Sequence, residues 1–254
     1  MSVRDFGATA TWGSRREVPE ALADRWIKLI TRLQAIDPVF AHWYYWPKPS
    51  RIASQDWDRT HIIKFIESNV GTNDADGSPQ PLYGYSCFAI NTDAGDGPRS
   101  FSTRFSAGTG GPYCFNNALV STSCGTAPDP LVVTYKVFRG IVLALGEAFE
   151  PARVIAYPVS ILDFWPKGQG GRPIIKLAWI TYVGPSYAHL ITPPSEAIVE
   201  RQPDGGLLMA ATKETFDVSN PTHMAAARAI EAAAAPFNAF TKAEMEAVIA
   251  KGCF

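Results

Sequence analysis

The sequence predicts an α+β fold: largely antiparallel sheet flanked by helices. Three observations carry this. Apolar residues recur at three- and four-residue spacing around 22–36, 62–66 and 137–145, and an alanine-rich stretch follows at 225–235. Short runs rich in β-branched and aromatic residues fill the intervals. The joints between those runs are tight Gly, Pro and Asp turns rather than helical crossovers, so neighbouring strands should pair antiparallel.

The elements follow in order. After a short extended start, Ser14-Arg15-Arg16-Glu17 has the S-x-x-E form of a capping box, and Pro19 suits a first helical turn. Leu22, Trp26, Leu29, Ile30, Leu33 and Ile36 then share one helical face, ending at Asp37-Pro38. A second helix spans Asp58 to Ser68, with Ile62, Ile63, Phe65 and Ile66 as its apolar residues. Residues 71–79 are a loop by every turn criterion. Strands follow at Tyr83–Asn91, Ser100–Ser106 and Asn117–Ser123, the first two joined by a hairpin loop at 93–98. In the first strand, Tyr83, Tyr85, Cys87 and Ala89 alternate with Gly84, Ser86 and Phe88.

Leu131–Tyr135 favours a strand by its β-branching, but Val137, Ile141, Val142 and Leu145 favour a helix from Thr134 to Phe149. Four strands come next, at Arg153–Tyr157, Ile174–Val183, Ala197–Arg201 and Leu207–Thr212. Pro203-Asp204-Gly205-Gly206 joins the last two, with Pro presetting φ and Gly accepting a positive one. Asn220-Pro221 caps a helix that runs through the alanines to Pro236. Thr241-Lys242-Ala243-Glu244 opens a short terminal helix within 239–254. Each half closes its strands with a helix, so the order fits one domain or two lobes, 12–150 and 151–254.

Composition removes several function classes. With 254 residues, 46% hydrophobic and 19% charged, the chain reads as a soluble globular protein. A formal charge of −1 argues against a nucleic-acid binder. No stretch approaches the roughly 20 apolar residues that cross a bilayer, and Met1–Phe6 lacks a secretory core, so a cytoplasmic protein is expected. Cys87, Cys114, Cys124 and Cys253 contain no C-x-x-C and are expected as reduced thiols, a Cys114–Cys124 disulfide being the alternative. His42, His61, His189 and His223 are dispersed, and no metal or cofactor is implied.

Nor does any motif supply a reaction. Gly108–Gly111 and Gly168–Gly171 lack the G-K-[ST] continuation of a phosphate loop. Ser121–Gly125 lacks the first glycine of a nucleophile elbow and reads as a strand end. His223, Asp204 and Asp217 have packing, turn and capping explanations. No catalytic residue is nominated.

Two features point to binding. Phe40-Ala41-His42-Trp43-Tyr44-Tyr45-Trp46 places four large rings in succession, which one regular element cannot bury on one side. At least two should be packed at a corner, leaving others as interface anchors. From Glu67 to Pro98 there are five carboxylates and no Lys or Arg, and Asp74, Asp76, Asp93 and Asp96 sit in two loops. Asp favours turns for local reasons, and such loops also suit a basic partner. Trp43, Tyr44, Tyr45, Trp46 and these four aspartates are the candidate partner-binding residues.

The chain also resembles the immunity protein 52 family of bacterial polymorphic toxin systems. The resemblance rests on Trp12-Gly13-Ser14-Arg15, on Leu33 through Trp43, and on Tyr83-Gly84-Tyr85-Ser86 leading to Asn91. It closes with Pro203–Leu208, Phe216-Asp217, Asn220–His223 and Ala225 to Pro236. Ile90 stands where the family commonly has Trp before the Asn. The resemblance implies an α+β immunity domain over 12–238 with no catalytic activity. Its implied partner is a cognate secreted toxin similar to restriction-endonuclease-type nucleases, often delivered by type VI secretion. The rival readings are a small-molecule hydrolase, which requires a pocket with paired ionisable groups of perturbed pKa, and an adaptor for another partner.

Overall fold

A computed structural model of the chain describes residues 5–93, 97–110, 115–122, 127–165 and 174–239. Its centre is an eight-stranded, antiparallel sheet in the order β2-β3-β4-β1-β5-β6-β8-β7. The strands are β1 (Phe6–Trp12), β2 (Tyr85–Ile90), β3 (Phe101–Ala107), β4 (Asn116–Thr122), β5 (Arg153–Pro158), β6 (Ile180–Val183), β7 (Ile198–Arg201) and β8 (Leu207–Ala210). The helices are α1 (Pro19–Gln34), α2 (Arg59–Glu67), α3 (Tyr135–Phe149), α4 (Pro185–Ala188), α5 (Pro221–Ala233) and α6 (Ala235–Asn238).

The extended start read from the sequence is the middle of the sheet. β1 pairs with β4 on one side (Ala8↔Val120) and with β5 on the other (Ala8↔Ala156). Its inward positions Ala8 and Ala10 are small and fully buried, so α3 can approach the sheet closely. The same sheet therefore runs from strands before residue 150 into strands after it.

The inner face is set by parity. Trp12, Phe105 and Phe101 point towards α3 and meet Phe149 and Phe138 at 5.2–6.4 Å between centroids. α1 adds Trp26, whose ring meets Phe105 edge-on at 5.2 Å and stacks near Phe65 of α2. The core is thus strongly aromatic.

α3 ends in a concentration of charge. Its last carbonyls lack intrahelical partners, and three cations from the α1 side take them. Arg15 Nη2 donates to Phe149 O (2.7 Å), Arg25 Nη1 to Ala148 O (2.9 Å), and Lys28 Nζ to Glu147 O (3.0 Å). Buried Glu17 pairs with both Arg15 and Arg25, at 3.0 and 2.5 Å. Cations at a helix C-terminus also match its dipole.

That use of Glu17 corrects the capping-box expectation. α1 starts after Val18, which makes no side-chain cap bond, and Pro19 takes the first turn as read from the sequence. The helix stops at Gln34, before Asp37-Pro38, and a 3₁₀ turn at Pro38–Phe40 follows, capped by the Asp37 carboxylate. Asp58 caps α2, Thr134 caps α3, and Asn220 with Pro221 opens α5 as expected. The alanine-rich helix stops at Ala233, and Pro236 sits in the first turn of α6.

Four strands are shorter than predicted, β7 by the single residue Ala197. Tyr83 lies in a 3₁₀ turn, and Gly84 follows with φ of 75°, where a Cβ would stand 2.4 Å from Ala107 O. β8 ends at Ala210 rather than Thr212. β6 begins only at Ile180. Residues before it are held partly by side chains: Asn238 bonds Ile175 N and O (2.7 and 2.9 Å), and Glu231 accepts from Leu177 N (3.1 Å). The turn at 203–206 forms as read, with Gly205 at φ 91° and Asp204 accepting from Gly206 N. The proposed Cys114–Cys124 bridge, the Gly168–Gly171 loop and the terminal helix from Thr241 lie outside the described residues.

Candidate partner-binding surface

The aromatic run resolves by strand parity. Tyr44 exchanges both backbone hydrogen bonds with Ile90 (2.8 and 2.9 Å), and Tyr45 does the same with Ser54 (3.0 and 2.7 Å). Residues 44–45 therefore form a short extended ribbon beside the end of β2. Successive side chains on extended backbone point to opposite sides. Trp43 and Tyr45 are buried, while Tyr44 is half-buried and Trp46 is 37% exposed. Trp43 lies parallel to Phe40 at 6.1 Å; Tyr45 meets Phe65 at 4.7 Å and Trp57 at 5.5 Å. Tyr45 Oη donates to Asp56 O, and Trp57 Nε1 donates to Trp43 O. Two of the four rings are thus core residues.

Trp46 faces the other way and stacks on Phe88 of β2, with centroids 6.4 Å apart and planes at 26°. Phe88 is 42% exposed. It stands in register with Arg104 of β3, which is in turn opposite Leu119 of β4. Arg104 has the opposite parity to inward Phe105, so this row lies on the outer face, away from α3. Arg104 is exposed and forms no ion pair among the described residues. Ser86 and Ser106 share a hydroxyl hydrogen bond of 2.9 Å beside it. The row Trp46–Phe88–Arg104–Leu119 offers flat aromatic area with one free guanidinium, the residue types that anchor protein interfaces.

The acidic loops do not meet. Loop 71–79 abuts the start of β2, through Gly71 N to Gly84 O (2.8 Å) and the Val70↔Tyr85 bridge. Asp74 and Asp76 are exposed there, and the Ser78 backbone N–H holds the Asp76 carboxyl below its ordinary pKa. Asp93 is exposed just beyond the other end of β2. Six residues of strand separate those ends, about 20 Å at ~3.3 Å each. The carboxylates therefore stand at opposite ends of the strand that carries Phe88. Asp96 lies outside the described residues.

Asn91 explains why this edge is well defined. Its Oδ1 accepts from Phe101 N (2.7 Å), and its Nδ2 donates to Val39 O (2.8 Å) and Arg99 O (3.0 Å). One side chain thus ties the β2–β3 hairpin to the turn that precedes the aromatic run.

Sequence reasoning missed Phe88 and Arg104, although a signal was present. Phe88 breaks the polar parity of Ser86, and Arg104 falls between Ser102 and Ser106. A large ring on the polar side of an amphipathic strand, stacked on a second exposed ring, begins an exposed apolar patch.

Several ionisable groups elsewhere are structurally engaged. A cavity of about 480 Å³ at the end of α3 is lined by Arg15, Lys28, Glu147, Glu150, Tyr182 and Asp204, among others. Tyr182 Oη donates to Asp204 (2.7 Å), and burial raises the phenol pKa. His223 is buried, its Nδ1 accepts from Asp217 N (3.2 Å), and its ring packs by Phe216. Among the described residues, no group of three or more His, Cys, Asp or Glu could hold a metal ion. Among the described residues, no helix is long and apolar enough to cross a membrane.

An exposed aromatic row thus lies on the outer face of β2 and β3, with exposed carboxylates towards either end of β2. Comparison with known proteins gives the family. The chain belongs to the Immunity protein 52 family, whose model matches residues 5–236. Among solved structures it is similar to the Pseudomonas aeruginosa T6SS protein PA0821, with a TM-score of 0.51 and 11% sequence identity. That likeness covers 92% of this chain and 73% of the other, and concerns the fold. No curated protein matches. An immunity-type role, with a toxin as partner, follows from the family.

Proposed function

We propose that this protein binds and neutralises a cognate nuclease toxin of the restriction-endonuclease type in the cytoplasm of the producing cell, with no catalysis of its own. Membership of an immunity family carries the reading. The structural neighbour is a T6SS protein, and type VI secretion is the delivery route in this reading. In this reading Trp46, Phe88 and Arg104 form the anchor of the interface, and Tyr44 widens it. A nuclease must present cations or a metal to phosphate groups. Asp74 and Asp76 at one end of β2, and Asp93 at the other, steer such a surface onto the aromatic row.

Coexpression with the neighbouring toxin gene tests the function directly. The expected result is rescue of growth and a stoichiometric complex on purification. A toxin that stays lethal and never copurifies would sink the proposal. Finding another substrate class for a toxin that does copurify would remove only the nuclease assignment.

A further inference from the structure

The outer face holds a second unusual arginine, remote in type from Arg104. Arg153 stands on β5, in register with Thr11 of β1 and Val183 of β6. It is only 6% exposed, and its Nε and Nη1 are buried without a hydrogen-bond partner. It forms no ion pair with a carboxylate among the described residues. Burial pushes its pKa down to about 10, which still leaves it charged at neutral pH. Lys176 is close enough for the charge of Arg153 to add to burial in lowering its own pKa.

The surroundings supply walls and donors. The Lys176 ammonium lies over the Trp165 ring, 4.7 Å from its centroid. Trp165 meets Tyr157 edge-on at 4.9 Å, and the Tyr157 hydroxyl is 3.1 Å from Thr9 Oγ1. Thr181 shares the parity of Val183 on β6, and its Oγ1 is buried with no partner.

Guanidinium and ammonium groups donate hydrogen bonds and accept none. Native proteins pair buried charges, because an uncompensated one is strongly unfavourable. A water molecule supplies an acceptor but leaves two like charges uncancelled. An oxyanion supplies several acceptors and the missing charge together. We propose that the outer face of β5 is a binding site for a small inorganic oxyanion of the phosphate or sulfate class. Arg153 is its principal ligand, with Lys176 and Thr181 as supporting donors beside Trp165. The inference does not depend on the toxin reading.

The test compares thermal unfolding of the full chain in sodium phosphate and in sodium chloride at matched ionic strength. Wild type should gain a saturable rise on the order of 5 °C in phosphate. Arg153→Met should fold at least as well as wild type in chloride and show no such rise. Equal shifts in both proteins would mean a general salt effect and overturn the site. Should Arg153→Met fail to fold, phosphorus NMR line broadening with Lys176→Gln decides. Wild type should broaden the phosphate signal at roughly tenfold lower protein concentration than the variant, and identical broadening, or none, refutes the assignment.

Discussion

The two halves of the sheet are built from the same antiparallel ladder but face different surroundings. In β4, burial alternates residue by residue, and β3 nearly does so. β6 and β8 are buried at every position, and β5 at all but one. α3 packs along the middle of the sheet, and among the described residues β6 and β8 are buried on both faces. C-terminal elements contribute, with α5 packing against β8 and Glu231 and Asn238 fastening residues 175–177. A sheet half with one free face can offer it to a partner; a half wrapped on both faces mainly stabilises the fold.

That division can be tested from its largest consequence downwards. Trp179 is fully buried, and its Nε1 donates to Thr212 O at 3.0 Å. Trp179→Ala should cost about 4 kcal/mol in denaturant unfolding, enough to leave little folded protein. In the uncovered half, Trp46→Ala and Phe88→Ala should each change stability by less than about 1 kcal/mol. The same two substitutions should weaken toxin binding roughly 30-fold in calorimetry, because central aromatic anchors contribute ~2 kcal/mol or more. Trp43→Ala makes the control within one ribbon, since its ring is buried: it should lose about 3 kcal/mol of stability. If Trp43 and Trp46 behave alike, the separation into packed and displayed rings fails.

A subtler difference is written in pH. Glu200 on β7 accepts from Arg139 and Tyr135 of α3, and these bonds, the Arg139 ones foremost, hold its carboxyl below the ordinary value of 4.5. A depressed folded pKa gives stability that is present above the unfolded value and is lost as pH falls through the folded one. Wild type should therefore lose melting temperature below pH 4.5 more steeply than Arg139→Met. Parallel curves would show that the pair contributes nothing measurable. The smallest effect belongs to the loops. Asp74→Lys with Asp76→Lys should slow association with the toxin a few-fold at low salt, leave dissociation unchanged, and lose its effect at high salt.

The two halves also differed in how readily their sequence could be read. β3 and β4 were located within a residue because a one-sided strand alternates. β6 was overextended because Ile174–Val183 is apolar almost throughout, and an apolar run does not say where backbone pairing gives way to side-chain partners such as Asn238 and Glu231. β1 was read only as an extended start: Phe-Gly-Ala-Thr-Ala-Thr-Trp alternates small residues, so its inward positions carry little hydrophobic signal. The cap at Asn220 was legible because it is a local side-chain-to-backbone bond, and the helix starts at Asp58 and Thr134 fell on residues that cap in the same way. Glu17 was misassigned because its partner Arg25 lies on α1, beyond the four-residue window that a capping box reads. Of the surface, Trp46 was named from the sequence; Phe88 and Arg104 each stood out on the polar side of a strand, but only the register between strands sets them side by side.

The central position of β1 bears on how the protein is made. Its hydrogen-bonding neighbours lie more than 100 and nearly 150 residues further along the chain. A ribosome adding about 5–20 residues per second needs on the order of 10 s to deliver them. Until β4 emerges both edges of β1 are unpaired, and the second edge is covered only when translation has passed Pro158.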